Sequence, residues 1–390
     1  MSGKSVGGDL AARSGAATGA LGPVGGLRIV EARTRREMRQ FLDIPRHVFA
    51  TDRSWVQPLA FERLSHLDRR SNPYFAHAEA AFWVALQGNN PVGRISAQLD
   101  GLVPHDGAGA VGHFGFLDAI DDAETFAALL STAEDWLAAR GAVRVMGPFS
   151  LSINDECGLL VDGFETPPSL MMGHARPYYA THLDAFGYTG AKDLIAYEYE
   201  IAQDFPPAMQ SFFTKISAED KLRFRPLRMN DYAREIARVV DIFNDAWSGN
   251  WGFIPFSEAD MRYLGSNLKP LLRSGDVAFG EIDGEAVAMA VCLPNLNEAI
   301  ANLDGRLLPF GWLKLLWRLK VRTPGSARLP LMGVKRAYQR TAVGTALMLG
   351  VVQAVRDDHR RRGTHSAELS WILEDNRPTR RLIESIGGRP

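Results

Sequence analysis

The stretch Tyr338-Gln339-Arg340-Thr341-Ala342-Val343-Gly344-Thr345-Ala346-Leu347 constrains this chain more than any other. An apolar run, Leu329 to Val334, precedes it and reads as a strand, and an apolar helix follows from about Gly344 to Val355. A strand feeding a turn that opens a helix leaves the first backbone N–H groups without partners, and the helix dipole adds partial positive charge there. Such a turn suits a phosphate. Gly344, Thr345 and Ala346 are small enough for a diphosphate to approach the backbone closely. No Gly-x-x-x-x-Gly-Lys-Ser/Thr is present, which excludes a Walker A loop. No Gly-x-Gly-x-x-Gly with an acidic residue about twenty positions on is present, which argues against a Rossmann dinucleotide site.

The helix closes in Arg356-Asp357-Asp358-His359-Arg360-Arg361-Arg362-Gly363, a polar last turn ending in glycine. Ser366 to Leu373 reads as a strand. Glu374-Asp375-Asn376 follows, then a helix from Pro378 to Ile386 that stops at Gly387-Gly388. With Gln339-x-x-Ala342-x-Gly344 at its centre, this order from roughly Gly280 to Gly388 resembles the GNAT N-acyltransferase superfamily. The acyl-CoA loop of that superfamily reads Gln/Arg-x-x-Gly-x-Gly/Ala, and Ala342 stands here in place of its first glycine. The resemblance implies acyl-CoA as co-substrate, and no His/Asp/Glu spacing in the chain resembles a metal site. It implies that Gln339, Arg340, Thr341, Ala342, Val343, Gly344, Thr345 and Ala346 hold the diphosphate, and that Asn376 touches the cofactor. It places the pantetheine where the next strand splays away, with an amide between Met332 and Val334 polarising the thioester carbonyl. Many members carry a Tyr late in the final helix as the acid for the leaving thiolate. The matching position here is Ile383, so that acid is absent or comes from elsewhere.

The order of elements occurs twice. Leu27 to Ala32 (strand), Arg35 to Val48 (helix), a hairpin around Gly88-Asn89-Asn90, Gly112 to Leu117 (strand) and Asp121 to Arg140 (helix) make one series. Arg223 to Leu227, Tyr232 to Trp247, a hairpin around Asp283-Gly284 and the strand–turn–helix above make the second. The fold class expected is α/β: two tandem GNAT-like units, each a mixed central sheet flanked by helices. Residues 1–26 read as a disordered tail, 27–203 as a degenerate N-terminal unit and 204–390 as the N-acyltransferase unit. In the first series the strand runs into Asp118-Ala119-Ile120-Asp121-Asp122-Ala123-Glu124. Like charges repel a phosphate there, so the C-terminal unit carries the CoA site and the other is expected to shape the acceptor pocket. A GNAT domain ordinarily continues into a closing hairpin. Here the chain stops at Pro390, which leaves either a shortened chain or a strand lent by the N-terminal unit.

Three carboxylates are candidates for the chemistry. Glu374, at the end of the splayed strand, is placed to take a proton from an arriving amine, or to stabilise a helix N-terminus. Asp155 and Glu156 lie in Ser150-Leu151-Ser152-Ile153-Asn154-Asp155-Glu156-Cys157-Gly158, a polar segment soon after a strand. It reads equally as an acceptor-binding loop and as a turn. Cys157 is a poor nucleophile beside Glu156, whose charge raises a thiol pKa. The aromatic loop Asn250-Trp251-Gly252-Phe253-Ile254-Pro255-Phe256 suits an apolar acceptor or a packed core.

A net charge of -1 gives no global case for nucleic acid, and two cysteines exclude a disulfide framework and fit a reducing cytosol. No apolar run reaches the roughly 18 residues of a membrane span. Pro309 to Arg322 combines Trp312, Leu313, Leu315, Leu316 and Leu319 with Lys314, Arg318 and Arg322 near one helical face. This is the composition of a helix lying in a membrane surface, or of a core helix with snorkelling basic side chains. Asn72-Pro73-Tyr74-Phe75, the Gly147-Pro148 to Gly158 segment and this basic apolar stretch are similar to those of the bacterial ceramide synthases. That resemblance implies transfer of a long acyl chain from acyl-CoA to the amine of an amphiphilic, lipid acceptor such as a sphingoid base. The cysteine count gives a cytoplasmic protein, and Pro309 to Arg322, read as a surface helix, would make it peripheral on the inner membrane. A small-acceptor N-acetyltransferase and a non-catalytic binding protein on a GNAT scaffold are the alternatives.

Overall fold

The structure, a computed structural model, describes residues 2–9, 26–105, 107 and 109–390. Two compact units are present: one runs to Leu194 and takes in Leu303–Arg306, and the other comprises Ile195–Asn302 and Leu307–Pro390. The division expected after residue 203 thus falls earlier, inside a strand.

The first unit contains β1 (Ser2–Asp9), β2 (Leu27–Glu31), α1 (Arg35–Val48), α2 (Ala60–His66), β3 (Ala78–Gln87), β4 (Asn90–Asp100), β5 (Ala110–Ala119) and α3 (Ala123–Ala138). It continues with β6 (Ala142–Gly147), β7 (Phe149–Ser150), β8 (Glu156–Cys157), β9 (Leu159–Asp162), α4 (Tyr178–Ala185) and the start of β10 (Thr189–Glu200). Its sheet has the order β1-β6-β5-β4-β3-β2, and β9 also pairs with β1. The β5–β6 ladder is parallel. β3 is apolar along most of its length because both its faces are covered. Ala81, Trp83 and Ala85 point into the core beneath α3, and Ala80, Phe82 and Val84 into a second core with Phe41 and Ile44 of α1. Alternation of side chains along a strand makes this division automatic. Thr34 and Glu37 close the start of α1 as a reciprocal capping box.

One expectation is corrected here. Ser2–Asp9, read as part of a disordered tail, is β1, antiparallel to β6 from Val6↔Gly147 to Asp9↔Arg144. A strand rich in glycine and serine has no apolar alternation to announce it; backbone pairing defines it. Met1 and residues 10–25 of that stretch lie outside the described residues.

The second unit contains α5 (Pro207–Glu219), β11 (Arg223–Pro226), α6 (Tyr232–Trp247), α7 (Glu258–Leu268), β12 (Val277–Ile282), β13 (Glu285–Pro294) and α8 (Leu296–Ile300). After these come α9 (Gly311–Trp317), β14 (Ser326–Val334), α10 (Ala342–Arg361), β15 (Ser366–Leu373) and α11 (Arg377–Ser385). The sheet order is β11-β12-β13-β14-β15-β10. Leu347, Val351 and Val355 of α10 pack on Ala288, Ala290 and Leu329 of the sheet. The place beyond β15 is filled by the end of β10. Glu198 and Arg389 exchange backbone hydrogen bonds of 2.7 and 2.9 Å, and Ile201 N–H donates to His365 O at 2.9 Å. These residues all belong to the second unit, so this edge of its sheet is closed by the unit's own first residues and not by a strand lent from the other unit.

Candidate functional site

Between β14 and α10 the chain makes a short 3-10 turn over Arg336–Tyr338 and then reverses at Arg340, whose φ is +62°. A left-handed conformation at a non-glycine residue is uncommon and gathers at functional loops. Thr341 caps the helix. Its hydroxyl donates to Tyr338 O at 2.6 Å and accepts from Gly344 N–H at 3.0 Å. Glycine is required at 344, because a Cβ there would stand 2.1 Å from Tyr338 O. Ala342 is the first helical residue and exposed. A helical conformation accepts a Cβ, so loss of the family's first glycine costs nothing sterically.

Gln339 does not present its amide to the turn. It donates to Ala246 O and Val334 O, each at 3.0 Å, and so ties the turn to the ends of α6 and β14. Thr345 turns its hydroxyl back to Thr341 O at 3.1 Å. Arg340, Thr341 and Ala342 are exposed, Val343 is half-buried and Ala346 is buried. Ala342 and Val343 N–H lie in the first turn of α10, where the helix supplies no carbonyl to accept from them. The helix thus starts at an exposed turn, and Arg340, two residues before Ala342, is exposed as well.

β14 and β15 pair in parallel only from Ser326↔Ser366 to Leu329↔Leu369. Both strands run further, to Val334 and Leu373. Pro330 is the next residue of β14, and proline has no N–H to give to a ladder. Beyond it the two strands part. The last paired rungs are held by Arg328, which is 4% exposed and donates to Ser370 Oγ at 2.9 Å, with Glu368 at 3.7 Å. Ser370 in turn donates to Glu368. Where the strands separate, Trp247 at the end of α6 donates its indole N–H to Met332 O at 3.1 Å. Its ring meets Trp371 of β15 edge-on at 6.2 Å.

The other candidates of this unit sit nearby in sequence. Glu374 is exposed just past β15, with its carbonyl accepting from Arg380 at 2.9 Å. Asn376 caps α11, its side chain accepting from Thr379 N–H at 3.4 Å. Ile383 is buried. A tyrosine that the sequence reading passed over, Tyr197 on β10, bonds Glu384 at 2.8 Å and Arg380 at 3.0 Å. Burial raises its pKa; Arg380 opposes that rise and Glu384 adds to it. Trp247, Arg328 and Tyr197 were all missed. An arginine inside an apolar strand facing a glutamate inside another was the available signal for Arg328; the other two have none in a single sequence.

The first unit differs at each of these points. β5 and β6 also stop pairing early, at His113↔Met146. The space beyond is taken by β7: a Cβ on Gly115 would lie 1.7 Å from Phe149 O, and the Phe149 ring meets His113 at 4.6 Å. The start of α3 is occupied by its own Asp122, which accepts from Thr125 N–H at 2.9 Å and from its hydroxyl at 2.6 Å. Asp155 accepts from Ser152 N–H at 3.2 Å and Oγ at 2.9 Å, and Glu156 pairs with Arg63. These two carboxylates share a hairpin of the first unit, and Glu374 belongs to the second.

A Caulobacter vibrioides protein named bacterial ceramide synthase is 44% identical over 363 residues, covering 93% of this chain and 94% of that protein. This chain belongs to the bacterial ceramide synthase family. Protein YghO of Escherichia coli is 42% identical to this family member over 357 residues, covering 91% of each. A tandem GNAT protein from the clavulanic acid biosynthesis pathway shares its fold at a TM-score of 0.53 and 13% identity, covering 93% of this chain and 95% of that one. A glucosamine N-acetyltransferase region of a fungal multi-domain β-N-acetylglucosaminidase does so at 0.55 and 12%, covering 95% and 37%. No known protein-family model matches the chain. The mixed α/β fold is that of the GNAT acyltransferases, and this family member is an acyl-transferring enzyme.

Proposed function

We propose that the second unit binds acyl-CoA and transfers its acyl group, a long chain, to the amine of an amphiphilic acceptor. The observation that carries this is the early end of β14–β15 pairing at Leu329↔Leu369, combined with the open N-terminus of α10 at the same end of β14. The diphosphate rests against the first-turn amides of α10, with Arg340 supplying positive charge. The pantetheine follows the interval between the strands, bounded by Met332, Trp247 and Trp371. An amide of the Met332–Val334 segment donates to the thioester oxygen as charge develops there.

In the reaction the amine nitrogen attacks the thioester carbon and the C–S bond breaks. CoA leaves as thiolate, and the new amide nitrogen gives up its proton. We assign that proton to Glu374, the candidate carboxylate that shares a unit with the turn. The committed bonds of Asp155 to Ser152 and of Glu156 to Arg63 favour a structural role for both. The name of the Caulobacter relative points to ceramide synthesis, so a sphingoid base is the acceptor to try first.

Incubation with acyl-CoAs of graded length and a panel of amines, following free thiol, tests the reading. Release with long-chain donors and a sphingoid base supports it. Release with acetyl-CoA and small amines only would make the enzyme a small-acceptor N-acetyltransferase. Absence of any heat on titration with CoA would remove the site itself.

A further inference from the structure

Seven of the ten exposed large hydrophobic side chains among the described residues lie within one short segment of the second unit: Leu308, Phe310, Trp312, Leu313, Leu316, Trp317 and Val321. Their relative exposures run from 44% at Trp312 to 79% at Leu308. Scattered apolar residues on a surface need no explanation, but a contiguous patch marks a contact surface. No helix among the described residues is long and apolar enough to cross a membrane.

The segment is held rather than loose. α9 passes into a π-helical turn, Arg318–Arg322. Arg273 donates to Leu319 O at 2.8 Å and Lys320 O at 3.0 Å; Arg318 donates to Ala299 O at 2.6 Å; Lys320 Nζ reaches Pro270 O at 3.1 Å. Leu319 is buried. This corrects the helical-wheel reading of Pro309 to Arg322: the wider π turn carries Arg318 inward with Leu319, so Lys314, Arg318 and Arg322 do not form one outward stripe. What faces outward is apolar, with exposed Lys314, Lys320 and Arg322 among it.

We infer that this segment docks the enzyme on an anionic phospholipid surface, lying in the interface without crossing it. Leu307 to Gly325 contains four Lys or Arg and no Asp or Glu, which complements acidic headgroups. Tryptophan, phenylalanine and leucine interleaved with cations are the composition of interfacial segments. Protein interfaces, by contrast, are depleted in lysine at their centres. The inference deepens the reading of an amphiphilic acceptor by naming the surface at which that acceptor is met. It rests on observations separate from the CoA turn.

Vesicle sedimentation of the full chain tests it. The protein pellets with phosphatidylcholine vesicles containing phosphatidylglycerol more than with phosphatidylcholine alone. Trp312→Glu with Trp317→Glu lowers the bound fraction at least about ten-fold, while Lys314→Glu with Arg322→Glu chiefly removes the preference for anionic vesicles. An unchanged heat of CoA binding certifies the fold of each variant and keeps this test apart from the test of the catalytic reading. Three results would overturn the inference: no pelleting of the parent protein, pelleting unaffected by the tryptophan substitutions, or a concentration-dependent dimer that the same substitutions abolish.

Discussion

The carbonyl oxygen of Tyr338 fills the position where Gly344 would carry its Cβ, 2.1 Å from that site. The glycine is a requirement of the turn, because the Thr341 cap draws Tyr338 O and Gly344 N–H onto one hydroxyl. Gly344→Ala is therefore expected to push the turn apart and weaken CoA binding at least about ten-fold, equivalent to about 1.4 kcal/mol. Ala342→Gly, which restores the family pattern, is expected to leave binding unchanged and to cost at most about 1 kcal/mol of stability. Calorimetric titration with CoA and thermal melts of both variants check this.

Trp247 ties α6 to β14 at the point where β14 and β15 separate. Trp247→Phe retains most of the ring contact with Trp371 and removes the bond to Met332 O, at a cost of about 1 kcal/mol. Under the proposed reading, the Met332–Val334 strand end, freed of that bond, would hold the thioester less firmly. The expected result is a fall in kcat for acyl transfer with little change in KM for acyl-CoA. An equal loss in both would place Trp247 in cofactor binding instead.

The parts of this fold legible in the sequence were those with a periodic signal. α1 and α6 match the expected Arg35 to Val48 and Tyr232 to Trp247, and β12 and β13 flank the hairpin turn expected at Asp283-Gly284, because apolar spacing and flanking turns define them. The strand–turn–helix around Gly344 was legible from its apolar runs, whereas the contact with Tyr338 O that requires glycine there was not. β1 was not, since its glycines and serines carry no apolar alternation. Nor was the plug at Phe149, which depends on the absence of a side chain at Gly115 in a strand distant in sequence. The inward turn of Arg318 escaped for a local reason: a 3.6-residue wheel cannot foresee a π turn.

Two buried histidines make stability depend on pH in opposite directions. His113 of the first unit is pushed down to about 4 by burial. Its folded pKa lies below the unfolded value of about 6.5, so its contribution is complete above that pH and is lost as pH falls through the range from 6.5 to about 4. In the second unit, burial works against the charge of His359, but Cys292 and Asp276 raise it to about 10. That contribution is complete below about 6.5 and disappears as pH rises to about 10. The first unit is thus expected to weaken on the acid side and the second on the alkaline side. Melting curves from pH 4 to pH 10 check this: His113→Phe should flatten the acid limb and His359→Gln the alkaline limb, each leaving the other limb in place.

Arg328 and Glu368 face each other one rung before β14 and β15 part, so their pairing bears on stability and, under the proposed reading, on catalysis. Removing one partner of a buried pair leaves the other charge uncompensated, which costs about 3–5 kcal/mol. Replacing both with apolar residues of similar size is often neutral. Arg328→Leu alone is therefore expected to destabilise severely, and Arg328→Leu with Glu368→Leu to recover most of the loss. Ser370, which bonds both partners, is then left without them, and the strands lose the clamp that sets where they diverge. The double variant should melt near the parent protein yet transfer acyl groups poorly. Denaturant unfolding beside the free-thiol assay separates the two effects. Recovery of stability together with full activity would show that the ion pair only holds the sheet and that the site is positioned by Pro330 and Trp247 alone.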